Sequence, residues 1–368
     1  MRTWLEIDLN LYKKNLEYIR SLLQPKEEIM LILKANCYGI GDKELLKIAY
    51  KQGIKNFAVA TIDEGVKIRK YGFNECNILV LGHTSLEQIN IAIKHNLIIT
   101  ITGKEHAKIL LKTPNKNLKI AIAVDTGMCR LGFTLESIKK DREILQKLAV
   151  NYQIKSVFTH LSQADSFSEE CRIFTAKQIS KFYAVKSQLN ICEKWHYKNS
   201  AGILKQLKPA SDFARVGIIQ YGILPSQEFT NENLKPIFTW KSKIGCVIEI
   251  KEGDCVGYGI NYRAKTKMKI AVVNVGYGDG YNRLLSNKGR VIVHDTYCNI
   301  IGNVCMDQLM IDVSNVKRVN VGDQVVLIGK TMHCTISVEE IAKQCSTIAY
   351  EIMCNINSKR VKRIYLNK

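Results

Sequence analysis

The stretch LILKANCYGIGD, residues 31–42, climbs through an apolar run to Lys34 and then breaks into small, polar and glycine residues. Its first half reads as a buried strand and its second half as the loop that follows one. A lysine at such a junction differs from a solvated surface lysine. Where water is scarce, its amine is pushed toward the neutral, nucleophilic form.

The stretch is one unit of a longer rhythm. Strand-like runs stand at 29–34, 56–60, 77–81, 97–101, 120–124 and 155–160, with weaker ones at 195–198 and 213–217. Helical patterns lie between them, at 43–51, 62–71 and 168–190. That makes about eight strand–helix units in some 220 residues, the length and rhythm of a (β/α)8 barrel. A doubly wound open sheet is the competitor, but no G-x-G-x-x-G follows the first strand. From Lys235 onward strands dominate, with turn signals at 251–254, 276–280 and 321–323 and one clear helix at Ser337 to Gln344. This second part reads as a mostly-β domain of roughly 130 residues.

Composition narrows the function. The chain has 368 residues, 46% hydrophobic and 24% charged, enough for two domains with real cores. No apolar run approaches the length of a membrane span. Met1-Arg2 leads straight into WLEIDL without a signal-peptide pattern, so a cytoplasmic protein is expected. The formal charge is +20, yet the lysines are scattered among isoleucines and asparagines, which argues against nucleic-acid binding. The 12 cysteines form no C-x-x-C pair and no Cys/His ligand spacing, so free thiols and no metal are expected.

In a barrel the chemistry sits at the C-terminal ends of the strands. Lys34, Asp125, His160, Ser200 and Arg215 all fall at such ends. Singly, each has a bland reading: a histidine in a core, an aspartate or serine capping a helix. Together they would converge on one mouth. A dry lysine forms Schiff bases with aldehydes, and pyridoxal phosphate (PLP) is the common partner. Its phosphate would need a cradle such as the backbone of Gly217 and Ile218 and the Ser200 hydroxyl.

These motifs carry a resemblance along the whole chain. KANCYGIG (34–41), WLEIDL near the start, VDTGMCRLGF (124–133), NSAG, ARVGIIQYG, VGYGINY (256–262), VGYGDG (275–280) and CMDQ (305–308) are similar to the alanine racemase family. The resemblance implies a PLP-binding barrel at 1–230 and a β-domain at 231–368 that completes the partner subunit's site in a homodimer. It implies that Lys34 holds PLP and acts as one base, with Tyr258 of the other subunit as the second. Tyr38, Ser200, Gly217, Ile218 and Tyr350 would bind the phosphate, His160 would pack on the pyridine ring, and Arg215 would face its nitrogen. Arg130 and the Met306–Asp307 segment would place the substrate carboxylate, and Tyr277 would line the entrance. Such an enzyme would supply D-amino acids for peptidoglycan precursors.

One position departs from the pattern. Many family members carry a carboxylated lysine just before VDTGM, where this chain has Ala123. Arg130 must then be held otherwise, for example by a bound anion. The resemblance implies alanine or serine as the substrate, which differ by one hydroxyl. VATIDEG (59–65), HLSQADS (160–166) and SDFARVGI (211–218) resemble the soluble racemase domain of the membrane serine racemases of vancomycin resistance (VanT type), in which a membrane portion precedes that domain. Tyr350 instead resembles the alanine enzymes. A PLP-dependent decarboxylase of the same two-domain plan is the alternative activity; Tyr258 and CMDQ argue against it.

Overall fold

Each of the apolar runs singled out above becomes a strand in the computed structural model, which describes residues 1–189 and 191–367. After β1 (Thr3–Asp8) come β2 (Glu28–Ile32), β3 (Asn56–Val59), β4 (Asn77–Val80), β5 (Ile98–Ile101) and β6 (Lys119–Asp125). The short β7 (Phe133–Thr134) pairs only with β6 and is followed by β8 (Gln153–Phe158), β9 (Trp195–His196) and β10 (Phe213–Val216). Eight of them form a parallel sheet in the order β10-β2-β3-β4-β5-β6-β8-β9. Backbone bonds from Arg215 N to Lys198 O (3.1 Å) and from Asp212 N to Trp195 O (3.0 Å) tie its two ends into a barrel. Every residue of β3, β5 and β10 is buried, as expected of parallel strands covered on both faces.

The connecting helices follow their sequence signals. Lys43–Lys51 and Ile62–Lys70 are helical. The second opens with a capping box, in which Thr61 Oγ1 accepts from Glu64 N and the Glu64 side chain reaches back to the Thr61 backbone. The long helix spans Glu169–Gln188; Asn190, at the end of the segment expected to be helical, lies outside the described residues.

The remaining strands are β11 (Phe238–Ile250), β12 (Met268–Val273), β13 (Arg290–Val293), β14 (Thr296–Ile301), β15 (Leu309–Asp312), β16 (Gln324–Lys330), β17 (Thr335–Ile336) and β18 (Lys362–Leu366). They form a second sheet, and β1 belongs to it, antiparallel to β11 and parallel to β18. The start of the chain is thus woven between strands far along it. Among the described residues the C-terminal part holds two α-helices where one helix was expected: besides Val338–Gln344 there is Ala349–Cys354, which carries Tyr350. Six residues with no side-chain cap are too few to show a helical period in sequence. Among the described residues, no helix is long and apolar enough to cross a membrane.

Candidate active site

At the C-terminal end of the barrel lies a cavity of about 590 Å³. All five strand-end residues, Lys34, Asp125, His160, Ser200 and Arg215, line it, together with Tyr38, Arg130, Gly217 and Tyr350. Apolar walls come from Ile32, Leu81, Met128, Leu131, Phe158 and Ile348.

Lys34 opens a turn of unusual backbone. Ala35, Asn36, Cys37 and Tyr38 all have φ of 52–53° and none is glycine. Left-handed helical backbone costs about 1–2 kcal/mol per L-residue. The sequence gives no hint of this turn, because alanine, cysteine and tyrosine do not favour it. Its effect is to fold the chain back at once, so that Lys34 Nζ lies 6.0 Å from the centre of the Tyr38 ring. Burial and the nearby charge of Arg130 lower the proton affinity of Lys34, against weaker opposing influences from Cys354 and Glu64. A lysine so placed holds its proton less tightly than a solvated one.

A cluster of hydroxyl and amide groups faces it. Gly217 N donates to Ser200 Oγ at 3.0 Å. A methyl group on Gly217 would stand 3.0 Å from Tyr38 Oη and 3.3 Å from Ser200 Oγ, so the three converge on one spot that only glycine leaves open. The Tyr38 and Tyr350 rings lie 5.9 Å apart, and burial raises the pKa of both phenols, keeping them protonated donors. Ile218, buried behind Gly217, opens the 3-10 turn Ile218–Tyr221. Ser200 is the first residue of the helix Ser200–Leu204, whose cap is the Asn199 side chain rather than its own. This set of donors fits a phosphate monoester.

Arg215 is only 3% exposed and, among the described residues, no carboxylate is a partner. It donates to His196 Nδ1 (2.8 Å), to Thr159 O (2.6 Å), to Tyr197 O (3.1 Å) and to His160 Nδ1 (3.3 Å). A guanidinium only donates, so both imidazoles accept at Nδ1 and are neutral. His196 then offers its Nε2 proton to Ser156 Oγ at 3.1 Å. Desolvation first, then the charges of Arg215, Arg130 and Lys34, push His160 down to about 3. His196 was missed in the sequence; its only signal was its place in the weak run WHYK.

Arg130 lines the cavity with no hydrogen-bond or ion-pair partner among the described residues. Ala123 lines it too, so no carboxylate stands at that position to pair with the arginine.

Four of the residues expected at the site are elsewhere. Tyr258, Tyr277, Met306 and Asp307 do not line the cavity of their own chain. They gather on the second domain, where Asn303 Nδ2 donates to Tyr258 O (2.8 Å), Tyr277 N to Cys305 O (3.0 Å) and Gly278 N to Met306 O (2.9 Å). Tyr258 is 74% exposed, Met306 52% and Tyr277 43%. Arg360 holds this group together by donating to both Asp279 and Asp307.

Comparison with known proteins agrees with this plan. The alanine racemase N-terminal domain family matches residues 7–225 and the C-terminal domain family residues 237–365. The alanine racemase of Halothermothrix orenii is 39% identical over 100% of this chain and 97% of its own. The crystal structure of alanine racemase from E. faecalis superposes with a TM-score of 0.91 at 32% identity, covering 99% of this chain and 98% of that one. The alanine racemase from Bartonella henselae, solved with covalently bound pyridoxal phosphate, gives 0.87 at 27% identity over 100% of both chains. The chain therefore belongs to the alanine racemase family.

Proposed function

We propose that the protein is a PLP-dependent racemase that interconverts L- and D-alanine. The observation that carries this reading is the meeting of a half-buried Lys34 of lowered proton affinity with the Tyr38, Ser200, Gly217 and Tyr350 donors around one cavity. Bound PLP supplies an electron sink that acidifies the substrate's Cα–H. Lys34 would hold it, and the four donors with the Ile218 backbone would hold its phosphate. Arg215, charged and donor-only, would face the pyridine nitrogen and keep it unprotonated, which limits side reactions of a long-lived carbanion. His160 would lie against the ring.

Racemisation needs a proton removed from one face of Cα and returned to the other. Lys34 would serve one face and Tyr258 the other, each alternating as acid and base. Tyr258 does not line its own chain's cavity, so this reading requires a second copy. That copy would bring Tyr258, Tyr277, Met306 and Asp307 to the mouth as a homodimer. The exposed side chains of Tyr258, Tyr277 and Met306 support this. Arg130, with Met306 and Asp307 of the second copy, would place the substrate carboxylate.

Serine is a second substrate on this reading, because the apolar wall of Ile32, Leu81 and Phe158 rejects one added hydroxyl poorly. A chiral assay on L-alanine and L-serine, with CO2 release measured beside it, tests these assignments. The expected result is D-alanine with the higher kcat/KM, D-serine with a lower one, and no CO2. Release of CO2 without D-amino acid would make the protein a decarboxylase instead. The visible absorbance of bound cofactor should be lost in Lys34→Ala; its persistence would remove Lys34 from its role.

A further inference from the structure

The left-handed turn after Lys34 persists only because its surroundings over-determine it. Within the turn, Cys37 N bonds Leu33 O (3.1 Å), Gly39 N bonds Ala35 O (2.8 Å) and Gly41 N bonds Asn36 O (2.9 Å). Three charged side chains of the described residues reach it from outside, one of them Lys67, which donates to Asn36 Oδ1 at 3.5 Å. At its far end Arg363, from β18, donates to Gly39 O and to Ile356 O (3.0 Å). At its near end Glu64 accepts from Ala35 N, the residue directly after Lys34, with Oε1 at 2.6 Å. The other oxygen of Glu64 accepts from Ala60 N at 2.7 Å and Thr61 N at 3.3 Å, at the end of β3. One carboxylate therefore ties the start of the strained turn to the neighbouring barrel strand. Lys67, one turn along the same helix, adds a 2.7 Å ion pair to Asp42 just beyond the turn.

We propose that Glu64 is a positioning residue for Lys34, fixing the Ala35 amide so that the lysine side chain enters the cavity opposite the Tyr38–Ser200–Gly217 donors. This inference rests on the reading of Lys34 as the covalent lysine. Both carboxylate oxygens are in use, so no residue with a single acceptor can replace the contact. Glutamine must release either Ala35 or the β3 end, and aspartate is one methylene too short to span both. The capping role is separable, since the Thr61 hydroxyl forms the other half of the cap by accepting from Glu64 N, whereas the bond to Ala35 N comes from Glu64. The charge of Glu64 also favours the protonated form of Lys34.

The test compares PLP retention, followed by visible absorbance during dialysis, in wild type, Glu64→Gln, Glu64→Asp, Thr61→Ala and Lys34→Ala. Both Glu64 variants should lose PLP about tenfold faster, since small displacements of a reacting group are costly. Glu64→Gln, which removes the charge, should also move the pH midpoint of PLP uptake downward, while Glu64→Asp leaves it in place. Thr61→Ala should lower the melting temperature yet retain PLP within about twofold of wild type, about 0.4 kcal/mol. The proposal is overturned if the Glu64 variants retain PLP as wild type does, or if Thr61→Ala loses it equally fast. A Lys34→Ala protein that kept the visible band would overturn the reading of Lys34, and this inference with it.

Discussion

Arg215 donates from Nη1 to His196 Nδ1 at 2.8 Å, deep in the barrel, and both side chains are almost wholly buried. Among the described residues the hydrogen-bond acceptors of Arg215 are carbonyls and neutral imidazoles, with the Phe158 ring 5.5 Å away, so the cation is held by hydrogen bonds rather than by an opposite charge. Replacing it with methionine would leave several buried acceptors unpaired, each costing about 1–3 kcal/mol. Denaturant unfolding of Arg215→Met should show a loss of several kcal/mol; a change within about 0.5 kcal/mol would mean that water already satisfies those acceptors.

The same arrangement makes the fold sensitive to mild acid. His196 is pushed well below its ordinary value by burial and Arg215, His160 to about 3, and His106 to about 4 by burial and His83. Each folded pKa lies below the unfolded value of ~6.5, so the unfolded chain binds more protons and stability falls as pH drops below that point. At pH ~5.5, unfolding should take up about three protons, measured from the buffer dependence of the calorimetric enthalpy. Uptake near zero would mean that these imidazoles are already charged in the folded protein.

Gly217 offers a test of the phosphate cradle that leaves every catalytic group in place. The methyl group of Gly217→Ala would press on Tyr38 Oη and Ser200 Oγ. PLP affinity should fall about tenfold, or 1.4 kcal/mol, in a fluorescence titration. Unchanged affinity would place the phosphate elsewhere.

Arg130 and Ala123 make a further pair. No lysine stands at 123 to take up carbon dioxide, so activity should be the same in CO2-free and bicarbonate-containing buffer. Arg130→Ala should raise KM for alanine at least tenfold, since a charge-assisted bond is worth about 1.5–3 kcal/mol. An unchanged KM would remove Arg130 from the carboxylate site, whereas dependence on bicarbonate would mean that a bound anion steadies the arginine in place of the missing lysine.

How far the sequence could be read follows from the range of the forces involved. Strand-length apolar runs report burial directly, and all eight barrel strands stand where those runs stand, including the weak ones at β9 and β10. Strand-end positions then brought Lys34, Asp125, His160, Ser200 and Arg215 to one cavity. Relations set by tertiary contact were not legible. β1 pairs with β11 and β18 across more than two hundred residues. Tyr350 rides on a helix too short for periodicity, and His196 matters only because Arg215 packs against it. The left-handed turn after Lys34 runs against local preference, as strained backbone at a functional site commonly does.

On the proposed reading, Lys34 of one chain and Tyr258 of another form one racemising site. Lys34→Ala and Tyr258→Phe chains, each nearly inactive alone, can be unfolded together and refolded as a mixture. About half of the dimers would pair one chain of each kind, and each mixed dimer would hold one intact site, so the mixture should recover about a quarter of wild-type alanine racemisation. A mixture no more active than its two parents would mean that Lys34 and Tyr258 do not share a site across chains.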